Sequence, residues 1–277
     1  MKEIFADVLD INKLSIQYAN ERKQFGKSIG NFGAIKYKLA EQATRIYATE
    51  TAMHRAGRDI SKMEHKLLED GKTLAEALLG AAEEYAIECA ILKVYGSECL
   101  DYCADEGLQI HGGMGYSEEM HMAGAYRDAR INRIFEGTNE INRLLTVAMT
   151  MKRASKGHFD LAGPAWAVQK ELTSMPTASA TEGRFGREID TVKNLKKILL
   201  MVAGAAAKYQ MDGKINLKDE QEITMNIANI MMDVYTSESL LLRVQKITDK
   251  GNDATNEQHI LEVFLSDILD RITKNAK

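Results

Sequence analysis

Only two prolines occur in the 277 residues, Pro164 and Pro176, and both fall in one stretch. Proline lacks the amide hydrogen and its ring clashes with the preceding turn, so helix interiors exclude it. Ala, Leu, Met, Glu and Lys dominate the rest of the chain, and alternating β-branched runs are scarce. That pattern favours helix over sheet. The expected fold class is all-α: an up-down helical bundle followed by a second, smaller helical bundle. With 45% hydrophobic residues, the chain suffices for one large core or two modest ones.

Charge narrows the function classes. The net charge is -4, and basic residues are interspersed with acidic ones. This argues against a nucleic-acid partner and against a polybasic membrane patch. No window reaches the roughly 18 uncharged apolar residues of a spanning helix. The start, Met1-Lys2-Glu3-Ile4-Phe5-Ala6-Asp7, lacks a signal-peptide core. The expected location is therefore not secreted: cytoplasmic in a bacterium, mitochondrial in a eukaryote. Cys89, Cys99 and Cys103 are odd in number and lie on predicted helices, which reads as reduced thiols. His111 and His121 stand ten residues apart without a set of ligands at metal spacing, so no metal is expected.

Periodicity places the elements. Helices are predicted over 3–21, 32–66 and 74–109, with a turn at Asp70-Gly71-Lys72 and a break at Arg22-Lys23-Gln24-Phe25-Gly26-Lys27-Ser28-Ile29-Gly30. The third helix stops at Gly112-Gly113, where glycine is favoured past a helix C-terminus. A short helical stretch follows, then a helix over 138–153. Residues 155–190 hold both prolines and Trp166 amid weak periodicity, and read as a linker lying on the surface or partly disordered. Residues 191–210, 219–248 and 256–274 are helical again, with the methionines of 201–232 as core filler. The expected domains are 1–153, a linker over 154–190, and 191–277. The segment from Leu39 to Thr51 aligns with that from Ile227 to Ser239 at an offset of 188, and Arg55 with Arg243. The last domain therefore reads as a degenerate repeat of the first.

One carboxylate stands out. Glu136 lies between the apolar end of Arg130-Ile131-Asn132-Arg133-Ile134-Phe135 and a helix start at Gly137-Thr138. Thr138 is placed to cap that helix, with Glu140 in its first turn, where the helix dipole favours negative charge. Flanked by Phe135 and Gly137, Glu136 can face a pocket. Desolvation beside apolar groups strengthens a carboxylate as a base.

Three motifs stand in order: Tyr18-Ala19-Asn20-Glu21-Arg22-Lys23-Gln24-Phe25-Gly26-Lys27, then Gln109-Ile110-His111-Gly112-Gly113-Met114-Gly115-Tyr116, then Tyr126-Arg127-Asp128-Ala129-Arg130 running into Glu136-Gly137-Thr138. Together, over roughly residues 12–153, they resemble the C-terminal helical domain of the acyl-CoA dehydrogenases. Asn31-Phe32-Gly33-Ala34-Ile35, Lys38-Leu39-Ala40 and the further helical domain resemble the very-long-chain subfamily. The resemblance implies FAD-dependent conversion of an acyl-CoA to the trans-2-enoyl-CoA in fatty-acid β-oxidation, with Glu136 as the base that removes the α-proton. It also implies electron-transfer flavoprotein as electron acceptor and a homodimer.

By motif position, Arg22 resembles the cation that meets the flavin dinucleotide's pyrophosphate across the dimer interface, for which a planar guanidinium suits. Phe25 resembles the aromatic packed near that cofactor. Gln109, Gly112 and Gly113 resemble the partner subunit's dinucleotide contact, where glycine permits close backbone approach. Thr138 and Glu140 resemble contacts to the adenosine half, Gly137 a substrate-contacting backbone position, and Phe135 a substrate neighbour without the hydroxyl of the more usual tyrosine. A further departure is Gly33, which stands where many relatives carry a flavin-bonding glutamine.

The resemblance implies an N-terminal helical domain and a middle β-domain that this chain lacks. The expectation is therefore a polypeptide that is inactive alone and binds flavin weakly or not at all. The alternative is a non-catalytic helical dimerisation or interaction module. A membrane-surface role for 155–190, suggested by the very-long-chain group, is countered by its few basic residues.

Overall fold

A computed structural model describes residues 2–174 and 180–277, with side chains from residue 7 onward. Pro176 and its neighbours at 175–179, inside the expected linker, lie outside the described residues. In chain order come α1 (Lys2–Glu21), a hairpin of β1 (Lys23–Gln24) and β2 (Lys27–Ser28), a 3-10 turn at Ile29–Asn31, α2 (Gly33–Glu69), α3 (Leu74–Glu84) and α4 (Ala86–His111). These are followed by α5 (Gly113–Tyr116), α6 (His121–Ile131), α7 (Asn139–Ser155), α8 (Ala162–Thr173), α9 (Gly186–Met211), α10 (Gln221–Asp249) and α11 (Thr255–Asn275). The fold is all-α, and among the described residues the hairpin is the only sheet, antiparallel with Lys23 opposite Ser28. No described helix is long and apolar enough to cross a membrane.

Two elements differ from the sequence reading. The helix expected over 74–109 is two helices, interrupted at Tyr85 (φ -97, ψ 22), whose amide still reaches back to the Ala81 carbonyl. No glycine or proline marks this break. Thr73 opens α3 with a capping box: its hydroxyl accepts from the Glu76 amide while the Glu76 carboxylate accepts from the Thr73 amide, satisfying two helix-end donors. The other difference is α8, which occupies part of the expected linker. Pro164 falls in its first turn, where an amide has no helical acceptor to lose.

The chain packs as two compact units, one made of Met1–Met53 and Leu92–Asn139, the other of His54–Ile91 and Glu140–Lys277. In the first unit, Val8 and Ile11 of α1, Ile46 of α2, Leu100, Cys103 and Ala104 of α4, and Met122 and Ala129 of α6 form the core. Gly107 sets how closely these helices meet. A Cβ there would stand 2.7 Å from Met122 Cε and 3.0 Å from Ile11 Cγ2. Polar pairs fix register around this core: Asn12 Nδ2 donates to Gln42 Oε1 at 2.9 Å, Lys38 pairs with Glu106, and the Arg45 guanidinium lies 4.0 Å over the Tyr102 ring.

In the second unit, Val147 of α7, Ala203 and Ala206 of α9, and Ile227 and Ala228 of α10 form a core, with Met151, Leu199 and Met231 packed against it. Met231 and Met232 fill space as expected, whereas Met201 and Met211 are exposed. Arg271 of α11 pairs with the buried Asp233 of α10 at 2.7 Å. Arg55 of α2 donates to Ser239 Oγ at 3.1 Å and to Glu238 Oε2 at 3.0 Å.

Candidate functional site

Glu136 sits in a turn built by the end of α6 and the start of α7. The amide of Ile134 bonds the Ile131 carbonyl at 2.8 Å, and the amide of Asn139 closes the turn on the Arg133 carbonyl at 3.1 Å. Between them the chain takes two successive left-handed residues, Glu136 (φ 56) and Gly137 (φ 80). Glycine adopts this conformation without penalty, but a residue with a Cβ does not. Glu136 is exposed in this chain, not enclosed by it, as are Phe135 and Gly137. The sequence reading allows Glu136 to face a pocket; in this chain the residue is exposed.

What holds the turn is a residue the sequence reading missed. Lys93, on the buried face of α4 and 8% exposed, donates from Nζ to the Gly137 carbonyl at 2.7 Å and to Asn139 Oδ1 at 2.9 Å. Asn139 Nδ2 in turn donates to Ser97 Oγ at 3.0 Å and to Glu98 Oε1 at 3.3 Å. Arg133 Nη2 pairs with Asp101 Oδ1 at 2.9 Å. A sequence signal for this was present: Lys93 interrupts the otherwise apolar Ala90-Ile91-Leu92 and Val94-Tyr95. A buried ammonium persists only where it is paired.

Thr138 immediately precedes α7 and is half-buried, and Glu140 is exposed in the first turn. Both stand at the positions expected of them. The first helical position, Asn139, turns its side chain inward to Lys93 and Ser97.

The Arg22 segment forms a tight hairpin. Phe25 (φ 51) and Gly26 (φ 80) are its central residues, the pair of positive φ values that a two-residue β-hairpin turn favours. Phe25 is 92% exposed and meets Phe32 edge-on at 6.2 Å, which excludes a core role for it. Ser28 Oγ donates to the Ala19 carbonyl at 2.6 Å, tying the hairpin back to α1. Arg22 is exposed.

At the far end of α4, the buried His111 ring stacks on Tyr18 at 4.3 Å, and its Nδ1 bonds the Gly107 carbonyl at 2.7 Å. The stack joins the last turns of α1 and α4; Arg22 directly follows α1, Gln109 lies in the last turn of α4 and Gly112 and Gly113 follow it, all four exposed. Gly112 takes φ 59 and ψ -142, a conformation that L side chains avoid. A Cβ at Gly113 or at Gly33 would meet nothing within 4 Å, so the glycine in the glutamine's place at 33 has no steric cause.

The sequence-derived residues other than Glu140, which opens the second unit's Glu140–Lys277 segment, thus form two groups within the first unit. Arg22, Phe25, Gln109, Gly112 and Gly113 gather where α1 and α4 end. Phe135, Glu136, Gly137 and Thr138 gather over Lys93. Lys93 and His111 are 18 residues apart on α4, about 27 Å along its axis at 1.5 Å per residue.

The chain belongs to the acyl-CoA dehydrogenase C-terminal domain family, whose models match at residues 10–151 and again at 194–277. It is 41% identical over 271 residues to a probable acyl-CoA dehydrogenase of Bacillus subtilis (strain 168), covering 96% of this chain and 44% of that protein. It is 28% identical over 295 residues to the mitochondrial very long-chain specific acyl-CoA dehydrogenase of Bos taurus, covering 99% of this chain and 41% of that protein. A crystal structure of an acyl-CoA dehydrogenase from Bacillus anthracis complexed with FAD superposes with a TM-score of 0.91 at 40% identity, over 99% of this chain and 46% of that one. The chain thus spans less than half the length of these relatives.

Proposed function

We propose that this chain is the C-terminal part of a flavin-dependent acyl-CoA dehydrogenase of fatty-acid β-oxidation, in which Glu136 takes the α-proton of an acyl-CoA thioester. One observation carries this reading. Among the described residues, the only non-glycine side chains on left-handed backbone are Phe25 and Glu136, one from each motif group. Strained backbone persists where the surroundings impose it, and such positions cluster at functional sites.

The residues fit FAD. The Arg22 guanidinium is exposed and has no hydrogen-bonded or ionic partner among the described residues, so it is available to a pyrophosphate. The exposed backbone of Gly112 and Gly113 leaves open space on the side where a Cβ would stand, which permits close approach by an anion. Gln109 lies beside them, and Thr138 and Glu140 are assigned to the adenosine half. When bound, FAD would supply the acceptor for the hydride leaving the β-carbon. Glu136 takes the α-proton as the Cα–Cβ double bond forms, with Phe135 and the Gly137 backbone lining the thioester. A base for so weak an acid works best desolvated. The cover for the exposed Glu136 is therefore assigned to protein beyond this chain, as the relatives' greater length allows.

The rest of the proposal follows the family. Electrons pass to electron-transfer flavoprotein, and two copies pair as a homodimer. Residues 191–277 are a degenerate repeat of 1–153 across the 154–190 linker, a division supported by two matches to the same domain description.

A chimera joining residues 1–277 to the N-terminal part of the Bacillus subtilis relative tests the base. Glu136→Gln in that chimera lowers turnover on the order of a thousandfold or more if the carboxylate abstracts the proton. Near-equal rates point instead to a non-catalytic dimerisation module. The chain by itself is expected to purify colourless and inactive; a yellow protein carrying stoichiometric flavin would overturn that.

A further inference from the structure

One stripe of α4 grips the Glu136 turn at three points. Lys93, Ser97 and Asp101 follow one another at four-residue spacing, which puts them on one helix face. Lys93 holds the Gly137 carbonyl and Asn139 Oδ1, Ser97 receives Asn139 Nδ2, and Asp101 pairs with Arg133. Arg133 and Asn139 are also the two ends of the turn, joined by the 3.1 Å backbone bond. The stripe therefore fixes the chain on both sides of Glu136.

Packing alone does not explain Lys93. Its neighbours Ile91, Leu92 and Val94 are buried apolar residues, and a further Leu or Met would fill the same face without desolvating an ammonium. A buried charge is costly unless its donors find acceptors. Its acceptors here include a carbonyl directly after the strained residue and a side chain two residues further on. A left-handed residue with a Cβ costs about 1–2 kcal/mol relative to its relaxed state, so the turn needs an external hold to stay populated.

We infer that Lys93 is a positioning residue: its ammonium, acting with the Ser97–Asn139 and Asp101–Arg133 contacts along the same stripe, keeps Glu136 and Gly137 left-handed and so sets the direction of the Glu136 carboxylate. The catalytic half of this inference rests on Glu136 being the base; the structural half does not.

Lys93→Met keeps the length and apolar character of the stem and deletes the charge. In the full chain, amide hydrogen exchange by NMR reports the turn directly. The Asn139 amide is expected to exchange on the order of tenfold faster in Lys93→Met, while amides of α10 and α11 keep their wild-type protection. In the chimera, the same substitution is expected to lower kcat on the order of tenfold to a hundredfold with KM within about twofold, because a misplaced base loses transition-state contact rather than substrate binding. Lys93→Arg, which keeps the charge, is expected to recover part of kcat.

Unchanged Asn139 exchange overturns the inference, as does acceleration spread evenly over the molecule. An altered turn with undiminished turnover in Glu136→Gln keeps the clamp and removes the base. If Lys93→Met does not fold, Ser97→Ala deletes only a hydroxyl and is read at the same amide, where no change again overturns the inference.

Discussion

At the residue scale, Glu136 combines a strained backbone with an exposed carboxylate. A Cβ on left-handed backbone costs about 1–2 kcal/mol, while glycine's extra freedom in the unfolded chain returns about 0.5–1 kcal/mol of that. Glu136→Gly and Glu136→Ala both delete the carboxylate, so their difference isolates the backbone. Glu136→Gly is expected to be the more stable of the two by about 0.5–1 kcal/mol in urea unfolding of the chain. Equal stabilities, or a more stable alanine variant, would show that the turn is not strained. Phe25 belongs to the same class of residue, with an exposed ring where a polar Asn or Gly suits the turn better. Within this chain the ring meets only the edge of Phe32 among the described aromatic contacts, and the proposed cofactor contact would give an aromatic at this position a further partner.

At the element scale, the first turn of α4 carries a half-buried acid. Glu88 has Oε2 enclosed with no hydrogen-bond partner among the described residues. Burial pushes its carboxyl above the usual range, with Glu84 adding to the rise and Arg153 and Arg55 opposing it. A raised folded-state value means that the native chain binds the proton more readily than the unfolded one. Stability therefore falls as pH rises from the unfolded carboxylate value through the folded one. Glu88→Gln is expected to raise the thermal midpoint at pH 7, and the gain is expected to shrink as pH approaches 4, where wild-type Glu88 is itself protonated. A glutamine variant less stable than wild type at pH 7 would reject this account. Glu238 shows the opposite balance: burial alone raises it, but Lys196 and Arg55 outweigh that and hold it low.

The sequence made these elements legible to different degrees. The 3.6-residue period alone located α1, α2, α7, α9, α10 and α11, because each buries one long apolar stripe. The break at Tyr85 left no mark, since no glycine or proline makes it. The pair Gly163-Pro164 disguised α8 as loop, although proline in a first turn costs nothing. Within the candidate site, the motif residues were legible and their support was not. A single lysine in an apolar run does not disclose which carbonyl, more than forty residues away, accepts from it.

At the scale of the whole molecule, the family assignment covers both helical parts, and the chain spans less than half the length of its relatives. Within the first unit, the two motif groups stand at opposite ends of the Lys93–His111 stretch of α4, about 27 Å apart along the helix. In the proposed homodimer, that separation is the reason to expect each reaction centre to draw its glycine-loop contact from the neighbour. Two different cripples should cure each other. Glu136→Gln and Gly112→Val chimeras, each inert alone, are expected to regain about a quarter of wild-type turnover when co-expressed, because random pairing gives one intact centre in every mixed pair. Persistent silence of that mixture would mean that each copy works with its own loop.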